Sequence, residues 1–308
     1  MLMYVGRRLL QAIPVFFGTT FLIYFMVFSM PGDPVIALFG DKTPNPAVLA
    51  QVTAQYNLDK PFFVQYFLYL GNLFTGNLGV TFSGRDVSDI LASALPVTVK
   101  LVLMAVVIEL LLSITVGLIS GLRKGRVLDH SNLIAALVLS SVPPFVALFV
   151  AQYFIGIKLG WAPVTVGANA TWGAMLLPAI VIALTIYVTG MRLMRGSVIE
   201  AQSAEYVRTA AAKGLSRKRI IPVHIARNSL IPVVTNSAAS FGALIAGTTV
   251  TEGIFNIPGV GNVLFQAIRL GENATVVSFV TILTIIYVVV NILVDLLYAV
   301  LDPRIRYV

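Results

Sequence analysis

The amino-acid sequence predicts an all-α polytopic membrane protein with six transmembrane helices and both termini in the cytoplasm. Three observations lead there. First, 58% of the 308 residues are hydrophobic and 11% are charged, whereas a soluble domain carries about a quarter charged residues. Second, six apolar runs, Leu9–Met30, Val97–Leu122, Leu133–Ile157, Met175–Met191, Ser229–Val250 and Val276–Leu301, each come near the ~20 residues of a membrane-spanning helix, the fourth being the shortest. Third, the cations are distributed unequally. With the N-terminus inside, the inner face holds Arg7, Arg8, Arg123, Lys124, Arg126, Arg192, Arg195, Arg208, Lys213, Arg217, Lys218, Arg219, Arg227, Arg304 and Arg306. The remainder are Lys42, Lys60, Arg85, Lys100, Lys158 and Arg269. The positive-inside rule then sets the orientation, and an even number of spans places both termini together.

The same charges argue against nucleic acid as a partner, because they flank apolar segments and form no single stripe. The absence of cysteine removes disulfides, thiolate metal sites and cysteine nucleophiles. The first apolar run is too long for a signal-peptide core and has no A-x-A site, so it is expected to be retained as a span.

Three regions follow: 1–30, an inner N-terminus and first span; 31–95, an external segment with short helices; and 96–308, a core of spans two to six. In the external segment, Asn45-Pro46 reads as a helix start. Phe63, Tyr66, Phe67, Leu70 and Phe74 keep a helical period, which suits either an interfacial anchor or a cap over the outer mouth. Asp86, Asp89 and Leu91 open an amphipathic lead into the second span. Pro14, Pro143-Pro144, Pro178 and Pro232 allow kinks within spans. Gly117, Ser120 and Gly121, and later Gly242, Ala243, Ala246 and Gly247, allow close helix approach. Glu109 and Asp295 are carboxylates inside spans. Each either lines or braces a path or makes a structural hydrogen bond to a neighbouring helix. His130 and His224 have no second ligand at helical spacing, so no metal site is expected.

Between spans four and five lies the polar stretch 196–228. Ser197-x-x-Glu200 has the form of a capping box, which would start a helix at Val198. Ala210, Ala211 and Ala212 favour its continuation. Gly214 is a natural stop, with Arg208 and Lys213 suited to the negative end of the helix dipole. Ser216 is placed to cap a second short helix. The expectation is a helix-turn-helix knob on the cytoplasmic face. Between spans five and six, Thr251, Glu252, Phe255, Pro258, Gly259 and Gly261 belong to a helix-breaking stretch that gives way to a short apolar helix near Val263–Leu270. It reads as an elbow at the outer mouth, with gating or a passive turn as its two roles.

No nucleotide-binding phosphate loop is present, since Gly-Lys does not occur. There is no G-x-S-x-G and no H-E-x-x-H. The chain offers no catalytic residues and no visible means of hydrolysing ATP.

The segment Glu205-Tyr206-Val207-Arg208-Thr209-Ala210-Ala211-Ala212-Lys213-Gly214-Leu215 resembles the cytoplasmic EAA loop of ABC importer permeases. It is most similar to the dipeptide/oligopeptide/nickel branch, whose form R-T-A-x-A-K-G-L followed by H-x-x-R-N-x-L-x-P-V-V-T matches at Arg208–Leu215 and His224–Thr235. Of the general EAA form, only the Gly and one Ala survive. Pro222 within the second short helix is unusual. Arg7-Arg8, Pro31-Gly32-Asp33-Pro34, Leu58-Asp59-Lys60-Pro61 and Gly76-Asn77-Leu78-Gly79 resemble the B-type subunit in order and spacing. So do Thr251–Gly261, Asp295-Leu296-Leu297-Tyr298 and Asp302-Pro303-Arg304-Ile305-Arg306.

The resemblance implies a type I importer permease in a bacterial inner membrane. Its expected partners are a second homologous permease, two cytoplasmic ATPases that carry the ATP and Mg, an external binding protein and the lipid bilayer. It implies ATPase coupling through Glu205, Tyr206, Arg208, Thr209, Ala210, Ala212, Lys213, Gly214 and Leu215, with a helix Val198–Lys213 docking on the ATPase. Arg217, Lys218 and Arg219 would pair with acidic groups there or hold the membrane surface. Peptides are the implied cargo, with nickel chelates, glutathione and haem as alternatives. An ion-coupled secondary transporter is the reading from another class.

Overall fold

The computed structural model describes residues 2–28, 53, 57, 59–81 and 83–301, with the backbone alone at 2–5, 295 and 297–301. The expectations at Pro31–Pro34, Asn45-Pro46, Leu58 and Asp302–Arg306, and the side chain of Asp295, lie outside the described residues.

The described chain is helical nearly throughout. In order it forms α1 (Leu2–Phe28), α2 (Phe62–Phe74), α3 (Val87–Leu122), α4 (Val127–Ser141) and α5 (Pro144–Ala151), which continues as a wide π-helical turn at Gln152–Lys158. Then come α6 (Trp172–Ser203), α7 (Glu205–Ala212) and α8 (Arg217–Ile220), a second π-helical turn at Ile221–Ala226, and α9 (Arg227–Gly247). The chain ends with α10 (Thr249–Ile254), α11 (Val260–Leu270) and α12 (Asn273–Leu301). Among the described residues, five helical stretches are long and apolar enough to cross a membrane: Gly6–Phe28, Val87–Leu122, Trp172–Ser203, Arg217–Gly247 and Asn273–Val294. The expected third span is not one helix. It is bent by 97° between α4 and Pro144–Lys158, because the Pro143-Pro144 pair removes two backbone donors and forces Val142 and Pro143 into extended conformations. Counted as one broken span, it brings the total to six. Pro14, Pro96, Pro178 and Pro232 are instead carried inside continuous helices.

The chain divides into two units. The first comprises residues 1–98, 246–253 and 257–289. Within it, α2 packs on α1 through Tyr24, Tyr66 and Leu70, joined by Val277. Tyr66 and Thr20 share a hydrogen bond of 3.0 Å, and Tyr69 donates to Thr281 of α12 at 2.7 Å. The aromatic stripe expected on α2 is split. Tyr66 and Leu70 are buried, whereas Phe63, Phe67 and Phe74 are exposed. The packed side is rotated towards Phe62, Tyr69 and Leu73, since the phenols of Tyr66 and Tyr69 find hydroxyl partners there.

The second unit comprises residues 99–245, 254–256 and 290–308. Here α3 and α6 pack closely over the glycines the sequence singles out. A Cβ on Gly117 would stand 2.8 Å from the Met191 carbonyl, and one on Gly121 3.0 Å from the Arg195 carbonyl. Ser120 accepts from Asn132 of α4. Small residues at this spacing let two backbones approach, as membrane helices require where no hydrophobic drive separates protein from lipid. At Gly247, which is in the first unit and was expected to do the same, a Cβ would meet nothing within 4 Å among the described residues outside its own helix.

Candidate functional site

The polar stretch 196–228 is built on the second unit. The capping box does not start a helix, because α6 runs unbroken through Ser197 to Ser203. Met194, Val198 and Ala201 are buried in one cluster with Leu110, Ile114, Leu118 and Leu122 of α3 packed against it. That packing outweighs a cap worth about 1 kcal/mol. The single helix expected over Val198–Lys213 is also corrected. It breaks at Ala204, whose ψ of 146° is extended, and Ser203 turns its hydroxyl back to the Glu200 carbonyl. The break re-aims the chain so that Val207 and Ala210 join the cluster with Ile220, Ile225 and Val233.

The stop at Gly214 is as expected. Its φ is +79°, the left-handed conformation that a side chain resists. The amide of Leu215 donates to the Ala210 carbonyl and that of Gly214 to the Ala211 carbonyl, a Schellman pair that satisfies the helix end. Ser216 sits at the start of α8 but makes no side-chain cap. Pro222 lies within the π-helical turn Ile221–Ala226. Its missing N–H and its ring prevent regular α-helical bonding at that point.

The residues singled out on this loop separate into two sets. Glu205, Tyr206, Arg208, Thr209, Ala212, Lys213 and Gly214 are exposed, Ala210 is buried and Leu215 is partly buried. The first set forms a solvent-facing surface on α7, and the second seats α7 on its support. Val207, not among the expected residues, belongs with the seat; the apolar residue three before Ala210 is the signal that identifies it. Gln202 donates to the Gly121 carbonyl at 2.9 Å. Arg195 makes a two-pronged pair with Asp129 at 2.6 and 2.8 Å. Both tie the root of this surface to α3 and α4. Neither was expected, although Asp129 is the one acid in the cation-rich segment 123–130.

Glu109 is fully buried. It accepts from Ser113 at 2.7 Å and from Ser237 of α9 at 2.6 Å. A Cβ at Gly190 of α6 would collide with its Oε1. These contacts join α3 to α9, with α6 pressed against the carboxylate.

The elbow is organised by Glu252, which belongs to the first unit and is fully buried. Its carboxylate accepts from Thr98 at 2.7 Å, Thr248 at 3.0 Å and the Asn262 amide at 3.0 Å. Thr98 in turn accepts from the Val260 amide. The first amides of α11 are therefore capped by two side chains distant in sequence. Gly259 and Gly261 are required because a Cβ at the first would strike Glu252 and at the second would stand 2.5 Å from the Thr249 backbone. Burial pushes the Glu252 carboxyl above its usual range, against hydrogen bonds that pull it down. Thr251 and Phe255 are buried. The expected helix break is shorter than the motif, since Thr251 and Glu252 lie within α10.

Residues 113–307 match the family described as "Binding-protein-dependent transport system inner membrane component", and residues 1–102 match its N-terminal component. The chain belongs to this family. It is 36% identical, over the whole length of both chains, to the oligopeptide transport system permease protein OppB of Haemophilus influenzae. It is 34% identical to the di/tripeptide transport system permease protein DppB of Pseudomonas aeruginosa, covering all of this chain and 99% of that one. It is 33% identical, again over both full lengths, to the glutathione transport system permease protein GsiC of Shigella flexneri. This chain is thus a multi-pass membrane permease component, and the surface on α7 occupies the stretch that resembles the EAA loop of that family.

Proposed function

We propose that this permease subunit forms half of an ATP-driven import path for di- and oligopeptides in a bacterial inner membrane. The path would pass between this chain and a second homologous permease, supplied from outside by a binding protein. The reading is carried by one observation: an exposed, sharply terminated helix, α7, rests on a buried cluster continuous with α3, α6 and α9. A force applied to α7 is transmitted to those spans and is not lost in a loop, because close-packed interiors transmit strain.

In this reading the loop lies on the cytoplasmic face, with Glu205, Tyr206, Arg208, Thr209, Ala212, Lys213 and Gly214 against one of two ATPases. Those partners hold the ATP and Mg. Closure of the ATPase pair tilts the spans by rocking alternating access. The described helix of the external segment, Phe62–Phe74, caps the outer mouth, and Thr251–Gly261 forms its elbow. Peptides are favoured by relatives named for oligopeptides and di/tripeptides. The glutathione-named relative supports a modified tripeptide as the second reading.

The test is deletion of Ala210–Gly214, or Gly214→Pro, in the assembled transporter. Uptake and binding-protein-stimulated ATP hydrolysis should be lost while membrane insertion persists. Normal uptake with normal coupling in either variant would overturn the role of α7.

A further inference from the structure

The turn between α3 and α4 carries Arg123, Lys124 and Arg126, all exposed. Gly125 closes it with a φ of +76°. At the start of α4, Val127 is 81% exposed and Leu128 46%, an adjacent apolar pair beside the three cations. The local acid, Asp129, does not offset them. It is 1% exposed, its two oxygens take Arg195, and its Oδ2 also accepts from the Gly125 amide at 2.8 Å. The Asp129–Arg195 pair thus consumes the one negative charge and holds the turn rigidly against α6. Among the described residues, Arg123, Lys124 and Arg126 form no ion pair.

The depth of this turn follows from α6. The apolar run ends at Met191, and Arg195 lies ~6 Å further along the helix at 1.5 Å per residue. Gln202, which binds the Gly121 carbonyl, lies ~16 Å beyond Met191 on the same scale. The turn therefore lies between these two levels, at and just beyond the headgroup layer, which adds roughly 5–8 Å to each side of the hydrocarbon core. Lipid phosphate is within reach of the long cationic side chains of the turn.

We propose that residues 123–128 form a binding site for anionic lipid. Arg123, Lys124 and Arg126 hold the phosphate diester of the headgroup, and Val127 and Leu128 enter the acyl boundary. Cations at this level favour an anionic leaflet additively, and exposed aliphatic neighbours add apolar contact. The proposal rests on the membrane-spanning reading and is independent of cargo and of the role of α7.

The chain has no cysteine, so Val127→Cys introduces a single labelling position in it. The assembled transporter, labelled there with a fluorophore, is placed in nanodiscs of phosphatidylcholine doped with spin-labelled phosphatidylcholine or spin-labelled phosphatidylglycerol. Quenching by phosphatidylglycerol should exceed that by phosphatidylcholine by about ten-fold or more in effective concentration. High salt should reduce this preference, and R123Q/K124Q/R126Q should bring it close to parity. If the triple variant fails to assemble, Lys124→Gln alone should lower the preference about five-fold. Equal quenching by the two lipids would overturn the proposal. So would no quenching by either, which would show a protein partner covering the turn. ATP turnover of the same discs is read separately: its failure sinks the importer reading and leaves the lipid result standing.

Discussion

Removing the Glu109 carboxylate tests whether the buried centre of the second unit is a brace. In Glu109→Ala, Ser113 keeps an acceptor, because the Tyr187 carbonyl lies 3.2 Å from its hydroxyl. Ser237 loses its acceptor at 2.6 Å and is 2% exposed, beyond the reach of bulk water. Interhelical hydrogen bonds in membranes average ~0.6 and reach ~1.7 kcal/mol. A stranded buried hydroxyl costs ~1–3 kcal/mol. The void left by four missing side-chain atoms adds to this, so Glu109→Ala should cost about 2–4 kcal/mol. Glu109→Gln keeps the shape and can still donate to or accept from both serines, so it should cost under ~1 kcal/mol. Ser237→Ala should fall between them. The measurement is reversible unfolding in bicelles, with the double-mutant cycle Glu109→Ala/Ser237→Ala. A coupling energy near ~1 kcal/mol is expected. Strict additivity, or a Glu109→Ala variant as stable as wild type, would refute the brace. A Glu109→Gln variant of normal stability with a large rise in the KM for uptake would place the carboxylate on the path instead.

Three further outcomes follow from the geometry. Asp129→Ala strands the guanidinium of Arg195, which is 22% exposed; partial solvation should hold the loss of unfolding free energy to about 1–3 kcal/mol, with Asp129→Ala/Arg195→Leu recovering part of it. Gly121→Leu forces a side chain into the Val198 contact and should prevent recovery of assembled transporter, whereas Gly125→Asn, where a Cβ meets nothing within 4 Å among the described residues, should cost only about 1 kcal/mol of unfolding free energy. The folded state holds the Glu252 carboxyl above its ordinary value of about 4.5. It therefore binds a proton that the unfolded chain has released, so this group's contribution to stability is complete below 4.5 and is lost as pH rises through the folded pKa. Melting points measured from neutral pH down towards that value should rise for wild type relative to Glu252→Gln, whose side chain does not titrate.

Much of the fold is legible because membrane spans declare themselves by length and composition. The backbone in lipid must satisfy its own hydrogen bonds, so an uncharged run of the right length forms a helix whatever surrounds it. Gly214 is legible for a similar reason, since its left-handed φ is a local property. The third span misled because Pro143-Pro144 marks a kink without giving its angle. The capping box misled because its strength, about 1 kcal/mol, is less than the burial of Met194, Val198 and Ala201 around it. For Glu109, the sequence placed a carboxylate in a span but left its partner open, and Ser237 is 128 residues away.

The sequence by itself determined the number and approximate limits of the apolar segments, the cationic asymmetry, the glycine stop of α7 and, through ordered motifs, the family. These are local or additive quantities, each set by a few neighbouring residues and the solvent they face. Only the tertiary structure decided that α6 runs on to Ser203, that Ala210 faces inwards while Arg208 faces water, and that Thr98 and Glu252 together cap α11. Those outcomes depend on which distant backbone comes within contact, and in lipid that selection rests on small residues and buried hydrogen bonds whose partners no local pattern specifies.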